Sequence, residues 1–127
     1  MAFQTRILSD SSKNVKIQVR GFFTEDLVEP AVVLDLDKLT SAPRGLRIDS
    51  FWWLLEEKMG IRLWWSPGQL LLPMESRNAF RPDLPFSSTS LASDSWDRKI
   101  WMTSHSINSG ITKSKYFVFG LDAEKQV

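Results

Sequence analysis

The sequence predicts an all-β domain, an antiparallel β-sandwich of about 7–8 strands, with a jelly roll among the forms its spacing allows. Three observations carry that reading. Asn14–Arg20 alternates apolar and polar residues with period two, and Tyr116–Leu121 is a short run with Phe117, Phe119 and Leu121 on one phase and Tyr116 and Val118 on the other. Other short apolar runs are separated by Gly, Pro, Ser and Asn punctuation. No stretch of ten or more residues shows an apolar stripe at helical spacing.

Taken in order, Gln4–Leu8 is a short extended candidate, followed by polar residues Ser9–Ser12. In Asn14–Arg20, Val15, Ile17 and Val19 are expected inward and Lys16, Gln18 and Arg20 outward, with Gly21 ending the strand. Phe22–Pro30 reads as a loop. Ala31–Leu36 (AVVLDL) has the β-branched content of a strand. Asp37–Pro43 reads as a turn or a single helical turn.

Leu46–Ser66 is the most apolar stretch: LRIDSFWWLLEE, KMG, then IRLWWS. It is predicted to be a long β-hairpin. Leu46, Ile48, Trp52 and Leu54, with Ile61, Leu63 and Trp65, form the expected core face. The opposite face starts polar at Arg47 and Asp49 and ends apolar at Phe51, Trp53 and Trp64. A sheet with one wet face would stay polar there, so this second face needs a cover. Either another part of the chain or another subunit can supply it.

Ser66-Pro67-Gly68 is a tight-turn signal. Gln69–Leu72 is a short third strand stopped by Pro73. Residues 74–98 form an irregular excursion with Phe80, Leu84, Phe86 and Leu91 interspersed; loops of that length are usually functional or disordered. Lys99–Ser104 returns to strand, His105–Ser114 is a loop, and Tyr116–Leu121 is the last strand, with Phe117, Phe119 and Leu121 inward. The tail Asp122–Val127 is polar. No internal repeat or boundary divides the chain, so residues 1–127 are expected to be one domain.

Composition narrows the function classes. The chain has 127 residues, enough to bury a core without staples, and no cysteine for disulfides or thiolate metal sites. Sixteen basic and fifteen acidic residues balance to +1, against the basic excess of a typical nucleic-acid binder. No apolar run approaches the ~20 residues of a membrane span. The N-terminus MAFQTRILSD lacks the basic start and apolar stretch of a signal peptide, so a cytoplasmic origin is expected. Six tryptophans are many for this length, and tryptophan is enriched at interfaces.

No motif for a reaction stands out. His105, the lone histidine, lies in MTSHSINSG without a Gly-x-Ser-x-Gly elbow. Asp35/Asp37, Glu56/Glu57 and Asp94/Asp97 are paired carboxylates, read as solvated turn and edge residues; no calcium-loop or phosphate-loop pattern accompanies them. The chain is expected to be no enzyme and to need no metal or cofactor. Trp53, Trp64 and Trp101 are candidates for a stacking platform, with Arg47 and Arg62 nearby, which would suit a sugar or a single strand. Core or interface packing is the competing reading.

The order of segments SDSSKNVKIQVRG, AVVLDLDKL and LRIDSFWWLLEEKMGIRLWW, then an irregular Phe/Pro stretch and a strand-turn-strand finish, resembles small structural proteins of tailed bacteriophages, including cyanophages. The resemblance spans about Ser9 to Leu121. It implies a virion component, foremost a head decoration or cement protein assembled in the host cytoplasm on the capsid exterior. Its partners would be the major capsid protein and other copies of itself, with no membrane and no nucleic acid. The contact residues implied are Trp53, Trp64, Trp96, Trp101, Phe80 and Phe86. A neck, head-completion or tail-associated component, and a carbohydrate-binding module for host adsorption, are the competing roles.

Overall fold

The computed structural model describes residues 2–43, 45–56, 58–66, 69–76, 81–85, 98–107 and 114–126. Nine strands occupy them: β1 (Ala2–Asp10), β2 (Asn14–Phe23), β3 (Ala31–Asp35), β4 (Gly45–Leu55), β5 (Met59–Ser66), β6 (Gln69–Ser76), β7 (Arg81–Pro85), β8 (Lys99–Ser106) and β9 (Lys115–Gln126). A single 3₁₀ turn, Leu36–Lys38, follows β3, with the Asp35 side chain accepting from the Asp37 N–H as its cap. The chain is an antiparallel β-sandwich, as predicted, with one strand more than the upper expectation.

One sheet has five strands in the order β1-β2-β9-β4-β7, the other four in the order β3-β8-β5-β6. Counted from β2, one sheet holds the first, eighth, third and sixth strands and the other the second, seventh, fourth and fifth. That is the jelly-roll wrapping, with β1 added as an outer hairpin partner of β2.

This topology corrects the predicted hairpin. β4 and β5 do not pair: β4 lies between β9 and β7, and β5 between β8 and β6. The chain between them crosses from one sheet to the other, turning at Lys58 (φ 60°). Glu56 pins the crossing through its N–H to the Tyr116 carbonyl (3.2 Å) and its carboxylate to the Tyr116 N–H (2.7 Å). The Lys58 carbonyl accepts from the Ile107 N–H at 2.9 Å. A short break between two apolar runs fits either a hairpin or a crossing; the partners that decide between them are far away in sequence.

The core lies between the sheets. Val15, Ile17, Val19 and Phe23 of β2 meet Phe117, Phe119 and Leu121 of β9, Leu46, Ile48, Phe51, Trp53 and Leu55 of β4, and Met59, Ile61, Leu63 and Trp65 of β5. β2 and β9 keep the predicted alternation. β2 runs on through Gly21, which pairs with Phe3 and Phe117, to Phe23, whose ring stacks on Phe117 at 4.7 Å. β6 likewise continues through Pro73, tolerated because β6 is an edge strand. His105, expected in a loop, lies within β8, which runs on to Ser106.

β4 departs from its predicted phase. A register shift against β9 between Ile48 and Ser50 leaves Asp49 as the extra residue. Because side chains alternate, one extra residue sends everything after it to the opposite face. Phe51, Trp53 and Leu55 therefore enter the core, with Phe51 and Trp53 stacked at 5.2 Å, while Trp52 and Leu54 face outward.

The predicted polar tail is also strand. β9 extends to Gln126 and buries Ala123 and Lys125. The Lys125 side chain is 0% exposed, and its ammonium donates to the Asp10 carboxylate and the carbonyls of Ser11 and Thr40. Three N–H groups meet three oxygens, so the buried charge is paired and hydrogen-bonded. Asp10 in turn accepts from the Thr40 N–H at 2.8 Å. Burial alone would raise the Asp10 carboxyl, but hydrogen bonds from Lys125 and Thr40 outweigh it and hold it below its ordinary value. The cluster ties the β1–β2 turn and the β3–β4 connection to the last strand. Beside it, Arg98 bridges Asp37 (2.7 Å) and the Ala42 carbonyl (3.0 Å).

Candidate functional site

The structure separates the tryptophans predicted to act together. Trp53 is a core residue, 8% exposed. Trp64 and Trp101 are half-buried partners on β5 and β8, on the outer face of the four-stranded sheet. Trp96, Phe80 and Phe86 lie outside the described residues. The candidate surfaces are therefore the outer faces of the two sheets.

On the four-stranded sheet the register aligns Val32, Trp101, Trp64 and Leu70 in one row across all four strands. Irregularities adjoin this row at both ends: one on β3 between Val32 and Leu34, and two in the β5–β6 pairing, on either side of Trp64. Bulges re-aim side chains and sharpen twist; here Leu71 turns inward while Leu70 stays 46% exposed. The Trp64 indole N–H donates to the Thr103 hydroxyl at 3.0 Å. Thr103 sits one row along on the neighbouring strand, opposite Arg62 and, beyond it, Pro73. That bond lays the Trp64 ring across the sheet and fixes its orientation.

The next row is His105, Gly60 and Glu75. A Cβ at Gly60 would stand 2.3 Å from the His105 ring, so the imidazole lies flat on the glycine. Its Nε2 reaches Glu75 Oε1 at 3.6 Å. No nucleophilic hydroxyl joins this pair among the described residues: Ser104 points inward and bonds to the Leu27 N–H (2.8 Å), and the Ser106 hydroxyl faces Asp26 (3.5 Å). Among the described residues no group of three His, Asp or Glu side chains converges to hold a metal ion.

On the five-stranded sheet the outward rows are Ala2, Phe22 and Tyr116; then Gln4, Arg20, Val118 and Leu54; then Arg6, Gln18, Gly120 and Trp52. Tyr116 is 63% and Leu54 41% exposed. Phe22 and Tyr116 are tilted rings 6.0 Å apart, and with Phe3, Val118 and the β1 start they line an open apolar hollow of about 480 Å³. A Cβ at Gly120 would come within 2.3 Å of the Trp52 ring, so the indole lies flat over β9. Farther along, charged pairs replace the apolar strip: Lys16 with Asp122 (3.9 Å) and Arg47 with Asp49 (3.2 Å) and Glu124 (2.6 Å).

The predicted second face of Phe51, Trp53 and Trp64 does not form: Phe51 and Trp53 enter the core and Trp64 lies on the other sheet, while Trp52 and Leu54, expected in the core, join Val118, Phe22 and Tyr116 in an outward apolar strip. Outward Tyr116 and Val118 were legible from the alternation of β9. Trp52 and Leu54 were missed because the shift at Asp49 has no signature in a run apolar on both phases. No family model matches the chain, and no characterised protein and no solved structure shows significant similarity to it.

Proposed function

We propose that this chain is a non-catalytic docking protein of a phage particle, a head decoration protein that binds the outside of the major capsid lattice through the five-stranded sheet. The observation that carries the reading is the strip of Tyr116, Phe22, Val118, Leu54 and Trp52 at one end of that sheet, with Tyr116 and Leu54 exposed and the other three half-buried. Contiguous apolar patches on a sheet face mark interaction sites. Here the strip ends in charged pairs, the arrangement of an apolar contact centre with a polar rim. The segment order resembling phage structural proteins, and the jelly-roll wrapping, support the virion setting.

The energetics suit a repeated lattice. Fully burying a side chain of this kind stabilises by about 1.5–3 kcal/mol. These five are already partly covered, so docking gains on the order of 5 kcal/mol, near the lower end of what association costs. A single copy then binds weakly, and several copies linked by self-association bind tightly through avidity.

The test is sedimentation of the purified chain with assembled, undecorated heads. Saturable co-sedimentation at a fixed ratio to the capsid subunit, strongly reduced by Leu54→Asp and Tyr116→Asp, is expected. Absence of wild-type binding would remove the proposal.

A further inference from the structure

We infer that the outer face of the four-stranded sheet is a second binding site, for a neutral polysaccharide, independent of the docking strip on the opposite sheet. A pyranose has one face of C–H groups and an edge of hydroxyls, so its site needs a flat ring with planar polar groups alongside. This face supplies both within two rows. Trp64 and Trp101 stand on adjacent strands, and the Trp64 ring is held in place by Thr103. Because the Thr103 oxygen accepts the indole N–H, its own hydroxyl proton remains available to donate. Arg62, exposed and in the same row as Thr103, has no ion-pair partner among the described residues. His105, flat on Gly60, and Glu75 add a donor and an acceptor one row farther on.

Charge selects the ligand class. A polyanion needs a basic groove beside the rings. Here Arg62 and Lys99 are offset by Glu75 and Asp35 on the same sheet, so among the described residues the face carries no excess of either sign. An uncharged polyhydroxylated chain fits; a nucleic acid does not. The irregularities at both ends of the ring row give it a fixed, twisted surface, and preorganisation of this kind lowers the entropic cost of binding.

The test is native affinity electrophoresis of the full chain through gels cast with dextran, hydroxyethylcellulose or galactomannan, with heparin as the polyanion control. Retardation by at least one neutral polymer, insensitive to added salt, is expected. Trp64→Ala and Trp101→Ala should each weaken it about tenfold. Arg62→Ala, at an exposed position that leaves the fold intact, should weaken it severalfold, and Leu54→Asp should leave it unchanged. No retardation by any neutral polymer, retardation by heparin alone, or retardation that survives both Trp64→Ala and Arg62→Ala would overturn the inference. Since Leu54→Asp acts only on the opposite sheet, loss of capsid binding and loss of polysaccharide binding are separable outcomes.

Discussion

Replacing Lys125 with methionine isolates the buried ion cluster that fastens the last strand to the opening turn. The side chain is 0% exposed, so methionine occupies the same space while removing the charge. It leaves the Asp10 carboxylate and the carbonyls of Ser11 and Thr40 without their shared donor. Removing one member of a buried pair costs about 3–5 kcal/mol. Asp10 is 19% exposed, so water relieves part of that cost. The expected loss is therefore about 3 kcal/mol, a large share of the 5–15 kcal/mol typical of a domain, and about 10 °C in Tm.

Urea unfolding of the wild type, Lys125→Met, Asp10→Asn and the double variant measures this as a cycle. The double variant should be more stable than the sum of the single losses implies, by about 2 kcal/mol, because it leaves no unpaired charge. A loss under ~1 kcal/mol for Lys125→Met, or strict additivity, would refute the cluster as a unit.

Three further outcomes follow from the fold. Trp53→Ala should cost about 3–5 kcal/mol by opening a core cavity, and Trp52→Ala roughly 1 kcal/mol or less, as read by chemical unfolding; equal or reversed costs would contradict the register shift at Asp49. Gly120→Ala should push the Trp52 ring off β9, shifting one of six resonances in a 5-fluorotryptophan ¹⁹F spectrum, with a stability change within about 1 kcal/mol because the ring moves into solvent. The Asp10 carboxyl titrates lower in the folded chain than its ordinary value of 3.8. Its stabilisation is thus complete above that value and lost as pH falls through the lower folded one. The stability gap between wild type and Asp10→Asn, measured by urea unfolding across pH, should be constant near neutrality and narrow below about pH 4.

How much of this was legible in the sequence depends on what decides each element. β2 alternates strictly, which places Val15, Ile17 and Val19 inward from period two alone, and in β9 the larger apolar residues Phe117, Phe119 and Leu121 share one phase. In β4 the run from Phe51 to Leu55 is apolar on both phases. Periodicity cannot say which phase is inside, and the deciding shift arises from pairing with β9, more than sixty residues away. The same long-range pairing turns a hairpin-like sequence into a crossing between sheets. Lys125 was hidden because a lysine near a polar end signals solvent; only the continued alternation Leu121, Ala123, Lys125 pointed inward. Of the candidate contact residues, Trp64 and Trp101 sit together on a surface and Trp53 does not. The strip on the other sheet was half visible, through Tyr116 and Val118.

The proposed docking contact is the open end of the five-stranded sheet. Hydroxyl-radical footprinting of the head-bound chain, read by mass spectrometry, tests it most directly. Protection on binding should concentrate at Tyr116, Phe22, Leu54 and Trp52, while Trp64 and Trp101 keep the reactivity they have in the free protein. Protection of Trp64 and Trp101 with Tyr116 and Leu54 unchanged would contradict the account.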